Sequence, residues 1–117
     1  MNKPLVIIES PYAAPTAAGV EANIAYARRA VADSVNRGEA PIASHLLFTQ
    51  PGILDDDVPG ERAMGIEAGL AWYRVADKCA VYADRGYSKG IYAGMARAGK
   101  YNVPVEVRHI EREEVAA

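Results

Sequence analysis

Residues 80–95 read AVYADRGYSKGIYAGM, in which an apolar run ends in an acid and a glycine-rich turn leads into helix-compatible sequence. A buried strand that ends in an acid such as Asp84, followed by a turn that opens a helix, is a common arrangement in α/β proteins. Backbone N–H groups and the positive end of the helix dipole converge at such a turn. The stretch therefore predicts a site for an anionic or sugar-bearing ligand, and it leaves the identity of that ligand open.

Outside this stretch, strand and helix patterns alternate along the chain. Short apolar runs predict strands at residues 5–8, 41–48, 79–83 and 103–110, and apolar residues at helical spacing predict helices at 20–37, 60–78 and 88–100. Such alternation is typical of a parallel sheet covered by helices. We predict a single three-layer α/β domain over residues 1–110, flavodoxin-like or Rossmann-like, with a mainly parallel sheet of four or five strands. Residues 111–117 form a charged C-terminal tail in this prediction.

The composition argues against several classes of function. The chain has 117 residues and a formal net charge of −2, with basic and acidic residues mixed along its length. A DNA- or RNA-binding surface normally carries a basic excess, so we predict no nucleic-acid partner. Cys79 is the single cysteine, which rules out a disulfide within the chain and a zinc site of the usual spacing. We find no signal-peptide pattern and no membrane-spanning run, and we predict a cytoplasmic protein without a membrane partner.

Three loops are expected to meet at one edge of the sheet, because parallel α/β sheets bind ligands beyond the carboxyl ends of their strands. These loops are residues 9–12, 44–57 and 84–90. Their side chains can accept hydrogen bonds, donate them and transfer protons. The unusual residues among them are Glu9, Ser10, Tyr12, Ser44, His45, Asp55, Asp56, Asp57, Asp84, Ser88 and Lys89.

Four motifs of this sequence resemble those of a small phage and bacterial family. They are Ser-Pro-Tyr at 10–12, Pro-Ile-Ala-Ser-His at 41–45, Gln-Pro-Gly-Ile-Leu-Asp-Asp-Asp at 50–57 and Asp-x-Gly-x-Ser-x-Gly at 84–90. That family is similar to the nucleoside 2-deoxyribosyltransferases and the nucleotide N-glycosidases, and the resemblance covers residues 4–110. It implies a deoxyribosyltransferase-like fold, a nucleoside or nucleotide as ligand, and action on an N-glycosidic bond. It also implies a homo-oligomer, because the related enzymes complete their sites across subunits. We expect no cofactor and no metal site.

The resemblance implies roles for the matching positions. Tyr12 would contact the nucleoside, and Asp84 would bind a sugar hydroxyl or help to protonate the base. Ser88 and the two residues after it would receive a 5′-phosphate at the helix N-terminus. The further ligand-binding candidates are Ser10, Asn23, Ser44, His45, Gly86, Lys89 and Gly90.

One departure from the related enzymes concerns the catalytic carboxylate. The enzymes carry a glutamate on the helix after the serine and glycine turn, where it attacks the anomeric carbon of the sugar. The corresponding residues 90–95 read GIYAGM and contain no acid. Glu9 and Asp57 are the candidates to replace it, and Asp84 completes the set of catalytic candidates. The alternatives are a protein that binds, senses or sequesters nucleotides without catalysis, related to phage, and a structural subunit with a vestigial pocket.

Several of these residues also have a purely structural interpretation. His45 lies in an apolar run and fits a hydrogen-bonded core residue, and Ser88 fits an ordinary helix N-cap. The acidic run 55–57 suits Mg²⁺, but a solvated loop that complements the next helix N-terminus is the preferred explanation. Gly65 and Gly69 favour the close approach of another backbone, either within the domain or across a dimer interface.

Overall fold

A computed structural model of the protein describes residues 2–111. The elements, in chain order, are β1 (Leu5–Glu9), α1 (Ala17–Asn36), β2 (Ala40–Ile42), α2 (Ser44–Leu47), α3 (Pro59–Ala71), a 3₁₀ turn (Trp72–Arg74), β3 (Lys78–Tyr82), α4 (Lys89–Lys100) and β4 (Val105–Arg108). Every predicted strand and helix is present, and the short helix α2 is an addition. The predicted tail lies outside the described residues except for Glu111.

The strands form one parallel sheet in the order β2-β1-β3-β4. β1 and β3 lie at its centre, where Ile8 pairs with Ala80 and Glu9 pairs with Val81. The parallel pairing confirms the predicted α/β class. Because β1 and β3 are neighbours, the loops that follow them start side by side at the carboxyl edge of the sheet.

Each face of the sheet has its own apolar core, because successive strand residues point to opposite faces. On one face, α1 contributes to a core of Val6, Ile8, Tyr26, Ala30, Ala80 and Tyr82. On the other face, α4 and the 3₁₀ turn contribute to a core of Ile7, Tyr73, Cys79, Val81, Ile91 and Ala98. Each fully buried valine or isoleucine in these cores contributes about 1.5–3 kcal/mol to folding. Helices therefore cover both faces, which confirms the predicted three-layer arrangement.

The predicted strand at 41–48 is wrong beyond Ile42. β2 ends there, and the carbonyl of Ala43 accepts hydrogen bonds from the N–H groups of Leu46 and Leu47, both at 3.0 Å, which starts α2. A short apolar run has no periodicity that separates a strand from a helix, so the sequence pattern was ambiguous here. As a result, Ser44 and His45 lie on a helix rather than on a strand.

Other element boundaries differ from the prediction by a few residues. α1 begins at Ala17 rather than at 20, because the Oγ1 of Thr16 accepts a hydrogen bond of 3.0 Å from a first-turn N–H and caps the helix. α3 ends at Ala71 rather than at 78. The chain then tightens into the 3₁₀ turn, and Lys78 already pairs with β1 in the sheet.

The two glycines of α3 allow close packing inside the domain. A Cβ at Gly69 would overlap the Oγ of Ser44 and lie 2.7 Å from its Cβ, and a Cβ at Gly65 would lie 3.2 Å from the Cδ1 of Leu54. The prediction was the close approach of another backbone, and the contacts found are instead side chains of α2 and of the loop before α3, within the domain. This packing supplies no reason for a dimer, and the homo-oligomer remains a prediction.

Candidate functional site

A cavity of about 570 Å³ lies beyond the carboxyl ends of β1 and β2 and beside the start of α4. This is the edge at which parallel sheets bind ligands. Most of the predicted site residues line it: Glu9, Ser10, Tyr12, Ser44, His45, Ser88, Lys89 and Gly90. The predicted site residues that do not line it are Asn23, Asp57, Asp84 and Gly86.

Glu9, the last residue of β1, lines this cavity. Its Oε2 accepts a hydrogen bond of 2.6 Å from the hydroxyl of Tyr73, which also lies 3.1 Å from the sulfur of Cys79. Burial raises the pKa of Glu9 to about 7, and the opposing effect of the Tyr73 hydrogen bond is smaller. Burial and the nearby Glu9 raise the pKa of Tyr73, so its hydroxyl remains the donor. The other carboxylate oxygen, Oε1, has no hydrogen-bond partner among the described residues.

Gly94 of α4 leaves the space that this carboxylate occupies. A Cβ at position 94 would overlap the Oε2 and Cδ of Glu9 and lie 2.9 Å from the hydroxyl of Tyr73. The carboxylate of β1 therefore lies against the segment of α4, residues 90–95, that has no acid of its own. Any side chain larger than hydrogen at position 94 would displace it.

Ser10 and His45 form a second polar pair on the α2 side of the cavity. The Oγ of Ser10 and the Nε2 of His45 are 2.7 Å apart. Burial lowers the pKa of His45 to about 4, so the imidazole is neutral at physiological pH. The start of α2 at residue 44 brings the imidazole to the end of β1, where Ser10 lies.

The N-terminus of α4 forms the opposite side of the cavity. Ser88 is its N-cap, and the Oγ of Ser88 accepts a hydrogen bond of 3.2 Å from the N–H of Ile91. This confirms the structural interpretation of Ser88. Lys89 and Gly90 are the first two helical residues and line the cavity. The lysine charge, the first backbone N–H groups and the helix dipole make this side electropositive.

Asp84 has a structural environment instead of a place in the cavity. Its carboxylate accepts hydrogen bonds from the hydroxyl of Tyr26 at 2.6 Å and from the N–H groups of Ile110 at 2.9 Å and Glu111 at 3.2 Å. Burial alone would raise the pKa of Asp84, but these donors outweigh burial and lower it. These bonds lie just after β4, which spans Val105–Arg108 and is shorter at both ends than the predicted strand 103–110. Asp84 therefore ties α1 to the segment that follows β4.

Asn23 and Gly86 also have structural roles outside the cavity. The Nδ2 of Asn23 donates a hydrogen bond of 2.9 Å to the carbonyl of Tyr12, which fixes the loop that carries the Tyr12 ring. Gly86 has a φ of +85°, a conformation that glycine adopts without strain and that makes the turn after Asp84 possible. Both residues support loops that frame the site.

The acidic run 55–57 lies beside a second cavity, of about 790 Å³. Asp57 is exposed, and its N–H donates to the Oδ1 of Asp55 at 3.0 Å. Asp56 forms an ion pair of 3.3 Å with Arg62. Within residues 2–111, no group of three or more His, Cys, Asp or Glu residues could hold a metal ion. The solvated-loop interpretation fits this geometry.

Tyr73 and Gly94 are parts of the site that sequence reasoning missed. Tyr73 is a buried core residue and is separated from Glu9 by 64 positions. For Gly94, the sequence analysis noted only that residues 90–95 contain no acid. No pattern in the sequence identifies these contacts, because they depend on how α4 and the 3₁₀ turn pack against β1.

The chain belongs to a family described as a domain of unknown function, DUF7768, whose model matches residues 4–108. No curated protein matches the chain. The matched range contains the whole sheet and all the residues that line the 570 Å³ cavity. In the part of the chain that the structure describes, no helix has the length and apolarity needed to cross a bilayer.

Proposed function

We propose that this protein binds a nucleoside or nucleotide in the 570 Å³ cavity and acts on its N-glycosidic bond, with Glu9 as the reacting carboxylate. The observation that carries the proposal is the environment of Glu9. The carboxylate is largely buried at a strand end, is oriented through one oxygen by Tyr73, and keeps its second oxygen available. A buried acid that lines a cavity and has no structural ion pair is a functional-site candidate, because nothing in the fold compensates the burial of its charge.

The proposed chemistry follows from this geometry. As the C–N bond breaks, the Oε1 of ionised Glu9 forms a bond to the anomeric carbon, and the bonding electron pair leaves with the base, which takes a proton from water. A water molecule then adds to the anomeric carbon, loses its proton to solvent and releases Glu9. The products are the free base and the sugar; a second base in place of water would give exchange instead.

The resemblance to deoxyribosyltransferases is compatible with this assignment. Those enzymes place their glutamate on the helix that corresponds to α4, whereas this chain has glycine and apolar residues there. Gly94 allows the carboxylate of Glu9 to lie against that same helix. We therefore propose that β1 supplies the carboxylate that α4 lacks. Asp57 is not part of this proposal, because it lines the second cavity.

The test is release of free base from a panel of ribonucleosides, 2′-deoxynucleosides and their 5′-monophosphates, measured by chromatography. We expect Glu9→Gln to lower the rate roughly 10³-fold or more, because the amide cannot form the glycosyl ester. The matched control is Glu67→Gln on α3, where the side chain is 74% exposed, and it should keep the full rate. Turnover that survives in Glu9→Gln but is lost in Asp57→Asn would overturn the assignment.

A second candidate is a nucleotide-binding protein without turnover. The specific observation in its favour is that burial raises the pKa of Glu9 to about 7, which favours the protonated form, and a protonated Glu9 can donate a hydrogen bond to a ligand instead of attacking it. Thermal-shift measurements with the same panel separate the two functions. A ligand at 100 times its Kd stabilises the fold by about 2.7 kcal/mol whether or not it is cleaved. Stabilisation without release of base would support the binding protein.

A further inference from the structure

His45 has one ring nitrogen that is bonded within the fold and one that is not. Its Nε2 lies 2.7 Å from the Oγ of Ser10, and Ser10 is only 5% exposed. Its Nδ1 has no hydrogen-bond partner among the described residues. No buried side-chain nitrogen or oxygen of those residues is sealed without a partner. Nδ1 is therefore accessible from outside the protein, on a residue that lines the cavity.

The hydroxyl of Ser10 determines which ring nitrogen carries the hydrogen. We assign its hydrogen to the bond with Nε2, because the reverse direction would leave both the Ser10 hydrogen and Nδ1 of His45 without a partner among the described residues. A neutral imidazole that accepts at Nε2 carries its hydrogen on Nδ1. The low pKa of His45 keeps the ring neutral at physiological pH. The imidazole thus presents an uncharged N–H donor.

The strand order determines which part of a ligand meets this donor. α2 follows β2 and α4 follows β3, and β1 lies between these two strands. Glu9 at the end of β1 therefore separates His45 on one side from Lys89 on the other. A nucleotide whose anomeric carbon lies at Glu9 extends its base to one side and its 5′ end to the other. The electropositive start of α4 suits the anionic 5′ end, which leaves the base beside His45 and the ring of Phe48.

We infer that His45 selects bases with an oxo group at C6 of a purine or C4 of a pyrimidine, by donating a hydrogen bond from Nδ1 to that oxygen, and that Ser10 holds the imidazole in the required tautomer. This inference rests on the proposed function. A base with an amino group at the same position presents a second donor and leaves both donors without a partner. Hypoxanthine and uracil are therefore preferred over adenine and cytosine.

The experiment compares matched 2′-deoxynucleoside 5′-monophosphates that differ in this group, inosine against adenosine and uridine against cytidine. Kd and the rate of base release are measured for each. For the wild type we expect roughly tenfold tighter binding of the oxo member of each pair, the effect of one neutral hydrogen bond. His45→Leu should remove the preference, and His45→Gln, which keeps an N–H donor, should retain part of it.

Two further variants complete the design. Ser10→Ala should weaken the preference, because it frees the ring to adopt either tautomer. Gln50→Ala, an exposed position just after α2 that does not line the cavity, should leave the preference unchanged. The readout is a ratio between two ligands of one variant, so a general loss of stability does not imitate the expected result.

The outcomes separate the two levels of the proposal. Binding or base release without an oxo preference, or a preference that persists in His45→Leu, would overturn the role of His45 and leave the proposed function standing. A preference for the amino member of each pair would mean that Nδ1 accepts a hydrogen bond, and it would overturn the tautomer assigned to His45. The absence of both binding and release for every nucleotide would overturn the proposed function and the role of His45 with it.

Discussion

Glu9 and Glu39 are both largely enclosed by protein, and their surroundings have opposite effects on their charge. Glu39 is 8% exposed, and the guanidinium of Arg108 binds both of its oxygens, at 2.8 and 2.7 Å. The hydrogen bonds from Arg108 outweigh burial and lower the pKa of Glu39 to about 2. Glu9 has no cation beside it in the described residues, only Tyr73, and burial raises its pKa to about 7.

The difference separates an acid that holds the fold together from one that is available for chemistry. Arg108 is 3% exposed and also donates to the hydroxyl of Tyr82 at 3.0 Å, so the Glu39 pair belongs to a satisfied network beneath α1. Asp84 is of the same kind, since three donors bind its carboxylate. Glu9 instead keeps an unbonded oxygen at a cavity. A buried carboxylate without a compensating charge costs stability, which is typical of functional sites.

Removal of the cation from the Glu39 pair should have the largest effect on stability. We expect Arg108→Met to destabilise the protein by about 3 kcal/mol, because the buried carboxylate loses both guanidinium bonds and keeps only Lys78 at 3.4 Å and the Ser34 hydroxyl at 2.7 Å. Urea unfolding at pH 7 measures the change. The control is Arg62→Met, which removes an exposed ion pair of 3.3 Å with Asp56 and should cost about 1 kcal/mol or less. A similar small loss for both variants would mean that the Glu39 network is not structural.

The pH dependence of stability should reveal the raised pKa of Glu9. Its folded-state pKa of about 7 lies above the ordinary 4.5, so the folded protein binds more protons than the unfolded chain in this range. Its contribution to stability is therefore complete below about pH 4.5 and is lost as the pH rises through 7, by roughly 3 kcal/mol in total.

Glu9→Gln should remove this loss, so that the variant gains on the wild type between pH 5 and pH 8 in thermal unfolding. Glu67→Gln serves again as the exposed control and should follow the wild-type curve. A Glu9→Gln curve that runs parallel to that of the wild type would show that Glu9 titrates normally.

The space at Gly94 should be needed mainly for the carboxylate of Glu9, which a Cβ would overlap, and less for the hydroxyl of Tyr73, from which it would lie 2.9 Å. We expect Gly94→Ala to destabilise the protein by about 1–3 kcal/mol, because the new methyl group overlaps that carboxylate. Gly99→Ala is the matched control on the same helix: no atom lies within 4 Å of a Cβ there, and alanine should stabilise the helix by up to about 1 kcal/mol.

A double-mutant cycle with Glu9→Ala makes this prediction specific. Once the carboxylate is absent, most of the cost of Gly94→Ala should disappear, which appears as a coupling free energy between positions 9 and 94. Additive costs would show that Gly94 makes room for some other group.

Much of the architecture could be predicted from local sequence patterns. Each of these patterns can be recognised within about ten residues of sequence: the apolar runs of β1 and β3, the helical spacing of α1 and the turn before α4. The parallel class followed from their alternation, and the rule for strand ends placed eight predicted residues at one cavity. Two segments were exceptions: 41–48, whose short apolar run carries no periodicity, and the end of α3, which was predicted at 78 and lies at Ala71.

The roles of individual acids could not be predicted in the same way. Glu9 and Asp84 both follow predicted buried strands, and both were candidates for the catalytic acid. The carboxylate of Asp84, however, accepts hydrogen bonds from Tyr26 and from the segment after β4. Those partners are 58 and 26 positions away in the chain. The sequence shows that an acid lies at a strand end, and it does not show which donors will surround that acid.

The sequence by itself therefore determined the α/β class, the edge of the sheet at which the 570 Å³ cavity lies and several of the residues that line it. These properties depend on the periodicity of side chains and on turn residues, which act over a few positions. Only the tertiary structure decided that Glu9 stays available, that Gly94 makes room for it, and that Ser10 and His45 meet. Those properties depend on contacts between distant segments, which set the burial and the hydrogen bonding of each group.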